Sequence, residues 1–87
     1  MNNRRYEKIK EYTKVMREEV KSSLGFNDHL TDKILIIAIK DKKGSYVPKE
    51  DTKYFWNHVD LSGYILIDKM VEELIEFMNG GELPEGA

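Results

Sequence analysis

Lys33-Ile34-Leu35-Ile36-Ile37-Ala38-Ile39-Lys40, followed by Asp41-Lys42-Lys43-Gly44 and then Ser45-Tyr46-Val47, is the stretch on which the fold turns. Four of its six central apolar residues are isoleucine, and β-branching at that density favours a strand. Asp41 to Gly44 read as a turn in which Gly44 supplies a positive φ. Ser45 to Val47 then read as a short return strand, completing a β-hairpin. The competing reading is a buried helix from about Asn27 to Lys42, with Leu30, Ile34 and Ala38 in register. Periodicity does not separate the two for so short a run, and the turn chemistry tips the expectation to the hairpin.

Outward from this segment the patterns are clearer. Between Arg4 and Leu24, the residues Tyr6, Ile9, Tyr12, Met16, Val20 and Leu24 fall on one stripe of a helix. Asn2 or Asn3 is placed to cap its start. Gly25 is placed to end it in a left-handed conformation, with Phe26 folding back on Val20 as in a Schellman stop. Near the other end, Ile67, Met70, Val71, Leu74, Ile75 and Met78 share a face opposite Asp68, Lys69, Glu72, Glu73 and Glu76, and Gly80-Gly81 close that helix. Its start is open: Ser62 can cap a helix from Gly63, or Asp68 a shorter one preceded by a strand over residues 64–67. Pro48, Lys49, Glu50 and Asp51 read as the first turn of a short helix whose inner face is Phe55, Trp56 and Val59. The expectation is thus an α+β domain, ordered helix, hairpin, short helix, long helix, with an all-α four-helix bundle as the alternative. One globular domain over residues 1–79 and a flexible tail over 80–87 are expected.

The 87 residues include no cysteine, which excludes a disulfide framework and thiol chemistry. Ile34 to Ile39, the longest apolar run, is only roughly a third of a membrane span. The basic N-terminus lacks the apolar run of a secretory signal, so a cytoplasmic protein is expected. Charge is uneven. Residues 1–43 hold 11 Lys/Arg and 7 Asp/Glu, whereas residues 44–87 hold 3 and 9. A basic helix answered by acidic groups within the domain accounts for this most simply.

No motif carries catalysis. The glycines fit turns and caps rather than a phosphate cradle. Asp28, His29 and Asp32 match no established metal spacing, and His58 has no visible partner for general-base work. Glu72, Glu73 and Glu76 read as the outer face of a helix, not as a catalytic pair. No cofactor and no metal is expected.

Tyr54-Phe55-Trp56 is the most suggestive segment. Neighbours on a helix diverge by about 100°, so three consecutive rings cannot all face one core, and exposed Tyr and Trp are enriched at binding hot spots. The expected function is a non-catalytic module that binds another protein and blocks it sterically. An inhibitor or accessory protein of the phage or plasmid type is one concrete version. Tyr46, Tyr54 and Trp56 would make the contact, with Glu72, Glu73 and Glu76 steering the encounter. One alternative is a nucleic-acid-binding regulator using Arg4, Arg5, Lys8, Lys42 and Lys43, although an isoelectric point near 5.7 lacks the usual basic footprint. A self-associating structural subunit, such as a homodimer, is the other.

Overall fold

The computed structural model describes residues 3–81. It is all-α: α1 (Asn3–Leu24), α2 (Asp28–Lys42), α3 (Lys49–His58) and α4 (Leu61–Met78). The hairpin expectation is overturned, because residues 33–40 lie inside α2 and no strand occurs among the described residues. The segment 64–67 is likewise helical, within α4.

The physical reason lies in where α2 sits. It packs against α1, α3 and α4, so it needs apolar groups over a wide arc rather than a single stripe. Ile34, Leu35 and Ile37 are buried, Ala38 and Ile39 pack partly against the core, and Ile36 is left outside. β-branched residues cost a helix only a few tenths of a kcal/mol each. Burying such side chains against three helices outweighs that, whereas a lone two-stranded hairpin is marginal.

Both ends of α2 are written locally. The Asn27 side chain accepts from Leu30 N–H at 2.8 Å, and Asp28 occupies the first turn. The hydroxyl of Thr31, wholly buried, donates to the Asn27 carbonyl at 2.8 Å. At the other end Gly44 has φ +77°, as its sequence setting suggested, but it closes a helix rather than a hairpin. Ser45 N–H donates to Lys40 O and Gly44 N–H to Asp41 O, the paired bonds of a Schellman stop. After α1, by contrast, Gly25 makes the simpler stop, with one bond from its N–H to Lys21 O at 2.9 Å. Of the two expected caps, Asn3 is the first residue of α1, while Asn2 and the tail from residue 82 lie outside the described residues.

α4 starts earlier than either expected cap. Asp60 is the N-cap, its carboxylate accepting from Gly63 N–H at 2.8 Å. Gly63 is itself buried, and a Cβ there would lie 3.0 Å from Leu24 Cδ2 and 3.2 Å from Val59 Cγ1. The absent side chain lets the first turn of α4 press onto the end of α1. Pro48 precedes α3 as its N-cap residue, one position before the expected one.

The core is built from Tyr12, Met16 and Val20 of α1, Ile34, Leu35 and Ile37 of α2, Phe55 and Val59 at α3, and Ile67, Val71 and Leu74 of α4. No helix among the described residues is long and apolar enough to cross a membrane.

Short clasps join the helices, two of them within the basic half of the chain and one, at Lys42, between the basic and the acidic half. Arg17 meets Asp32 at 2.7 Å, and Lys21 pairs with Asp28, so the basic stripe of α1 is answered by the acidic start of α2. Hydrogen bonding from Lys21 holds the Asp28 carboxyl below its usual range. Lys42 meets Asp68 at 2.7 Å and stands 3.9 Å from Glu72, tying α2 to α4.

One polar link between α1 and α4 is a buried phenol. Tyr12 donates to Glu73 Oε2 at 2.8 Å. Burial first, then the Glu73 hydrogen bond and charge, push the phenol well above its ordinary value. A raised phenol pKa stabilises the fold below the unfolded value, about pH 10 for tyrosine, and that contribution is lost as pH rises beyond it. Stability measured by urea unfolding is therefore expected to fall between neutral pH and pH values above about 10, and Tyr12→Phe is expected to flatten that fall. At pH 7 the same change costs about 1 kcal/mol, because Glu73 loses its donor. An unchanged alkaline slope in Tyr12→Phe would show that another group controls it.

Candidate functional site

α3 packs on α2 but reaches α4 through aromatic rings. Phe55 and Tyr64 stand 6.3 Å apart, edge to face, and Trp56 lies 5.2 Å from Tyr64 and 5.0 Å from Phe55. Such bulky rings hold the two helices apart and leave a notch between α2, α3 and α4. Its apolar lining includes Ile37, Ala38, Val47, Ile67 and Val71, and its mouth is set by Trp56, Tyr64, Asp41 and Asp68. The cavity is about 70 Å³, well under the roughly 300–1,000 Å³ of small-molecule sites. It has room for one apolar side chain. On the far side of Trp56 a more open hollow of about 280 Å³ is lined by Leu24, Phe26 and residues 57–60.

Trp56 is 52% exposed, and its ring contacts those of Phe55, edge-on, and Tyr64, tilted. Leu61 and Ile65, exposed by 70% and 59%, extend the apolar surface beside Tyr64. They are neighbours at i,i+4, and Leu61 is three residues from Tyr64. Sequence reasoning passed over Leu61 and included Ile65 only in the alternative strand over residues 64–67. Their signal is that two large apolar residues stand on the acidic side of an amphipathic helix.

The other expected contact residues are dispersed. Tyr46, 83% exposed, lies in the connection before α3. Tyr54 is half-buried, with its ring 4.3 Å from that of His58 and 4.1 Å from Lys33 Nζ. His58 itself is exposed and bonds through Nδ1 to Tyr54 O at 2.8 Å, a local helix-end contact. The acidic row divides: Glu72 and Glu76 are exposed, whereas Glu73 turns inward to Tyr12.

Of the residues expected to meet nucleic acid, Arg5 and Lys42 have other occupations. The Arg5 guanidinium donates to Phe77 O and to Gly81 O, and it covers the Phe77 ring at 4.1 Å from the centroid. It therefore caps the C-terminus of α4, where a cation suits the dipole. Lys42 is tied to Asp68. Arg4, Lys8 and Lys43 are exposed.

Asp28 and Asp32 serve the clasps to α1, and among the described residues no group of three or more His, Asp or Glu is placed to hold a metal ion. Comparison with protein-family models, curated proteins and solved structures finds no match to this chain.

Proposed function

We propose that this chain is a non-catalytic binding module that docks on another protein through the notch mouthed by Trp56 and Tyr64. The observation that carries this reading is a large indole, half exposed yet in contact with the Phe55 and Tyr64 rings, at the edge of an apolar notch sized for one side chain. A rigid aromatic gives contact area at low entropic cost and is the residue type most enriched at binding hot spots. Leu61 and Ile65 widen the apolar contact. A small rigid domain seated this way acts by occupying its partner's surface, as a cytoplasmic inhibitor or accessory protein would.

The test is recovery of the tagged protein from its native host, with nuclease in the wash. A stoichiometric protein is expected to survive the nuclease. Trp56→Ala is expected to weaken its binding by about 30-fold, the loss of about 2 kcal/mol expected of a hot spot. Ile65→Lys, a change at an exposed position, is expected to weaken it without affecting the fold. Retained material that vanishes with nuclease would move the function to the basic residues of α1.

A further inference from the structure

This inference rests on the docking reading above and names the occupant. We infer that the notch receives a cationic amphipathic helix of another protein, seating one large apolar side chain between α2, α3 and α4 and setting Lys or Arg against the carboxylates around the mouth.

Charge carries the argument. Asp41 lines the notch, is exposed, and makes no salt bridge to a described residue. Asp68 lines it too, sharing Lys42 with Glu72, whose side chain is 62% exposed and only loosely paired at 3.9 Å. Glu76 continues the same face of α4 one turn on, exposed. Across α3 and α4, residues 49–78, three lysines face seven carboxylates. An apolar notch with an acidic surround complements an apolar side chain flanked by cations. It opposes nucleic acid and anionic lipid, whose phosphates would meet like charge.

The same charges argue against a second copy. A two-fold dimer places the same patch on both sides, setting acid against acid. A head-to-tail contact would bring Lys8, Lys10 and Lys14 of α1 to the notch, but the exposed Glu7, Glu11, Glu18 and Glu19 of the same helix interleave with them and would set acid against acid again. The described residues also offer no strand edge, so an extended segment finds no backbone ladder to join, whereas a helix that presents one large apolar side chain with cations one turn away suits a notch lined by both apolar residues and Asp41 and Asp68.

Trp56 is the sole tryptophan and therefore reports on its own site. The probes are two tryptophan-free synthetic peptides with the same Leu and Phe positions at helical spacing, one carrying Lys and the other Glu at every polar position. Each is titrated into the full chain while Trp56 emission is read. The Lys peptide is expected to bind saturably, about tenfold or more tighter than the Glu peptide, and to weaken as salt rises. Asp41→Lys, a surface change in the last turn of α2, is expected to weaken it several-fold. Equal binding of both peptides overturns the cationic occupant and leaves the docking reading standing. No response to either peptide also overturns it, while docking is still judged by the retained protein. A sedimentation coefficient that rises with concentration and falls back in Trp56→Ala identifies a second copy as the occupant and overturns the inference.

Discussion

Ile34→Ala is expected to destabilise the domain by about 2–5 kcal/mol, while Ile36→Lys, two residues along, shifts it by no more than about 0.5 kcal/mol. Ile34 is completely buried where α2 meets its neighbours, so truncation removes apolar contact and leaves a cavity. Ile36 is 54% exposed on the outer side of the same helix, and lysine is at least as good a helix former. The contrast depends on a helical period. In a strand, residues 34 and 36 would share a face, and a lysine at one would be as damaging as a cavity at the other. A small domain commonly has only about 5–15 kcal/mol of stability, so the larger change brings the chain close to unfolding. Urea unfolding of the two variants reads the difference directly. Equal damage from both would contradict the helix.

Phe77→Ala is expected to cost about 3 kcal/mol. Its ring is 3% exposed, although it stands outside the main core cluster, because the Arg5 guanidinium lies over it. The same guanidinium holds the carbonyls of Phe77 and Gly81, so ring and cation act together to fasten the start of α1 to the end of α4. Arg5→Ala is expected to cost about 1 kcal/mol through the lost cap and the lost ring contact. The double variant should then cost less than the sum, with a coupling of at least about 0.5 kcal/mol. Additive losses in thermal or urea unfolding would mean that Arg5 and Phe77 do not act as a unit.

The outer helices were legible because each lies on the domain with one face. Met16 and Val20 of α1, and Ile67, Val71 and Leu74 of α4, repeat at three and four residues and are buried as that repeat implies. α2 escaped because a central helix touching three others has no clean stripe. Its run of isoleucines then imitates a strand. Gly44 shows the same limit from another side. Its positive φ follows from its residue type, but a hairpin turn and a Schellman stop ask for the same glycine, and only the bonds from residues 44 and 45 back into α2 separate them.

The start of α4 was obscured by competing caps: Asp60, Ser62 and Asp68 all have the right side chain, and packing of Gly63 on Leu24 selects the first. Arg5 could not be read as a cap at all, since its carbonyl partner lies 72 residues away in the chain. The site was half legible. Three consecutive rings imply that one faces outward, and Trp56 does. The notch depends on how far the rings of Phe55, Trp56 and Tyr64 hold α3 from α4, which no local pattern states.

The most direct measurement of the docking surface is a map of backbone amide chemical shifts as the retained protein is titrated into the labelled chain. The account predicts the largest changes at Ala38 and Asp41, around Val47, at Trp56, and along Leu61, Tyr64 and Ile65, with α1 little altered. Changes concentrated instead at Arg4, Lys8, Lys10 and Lys14 on the outer side of α1 would contradict it.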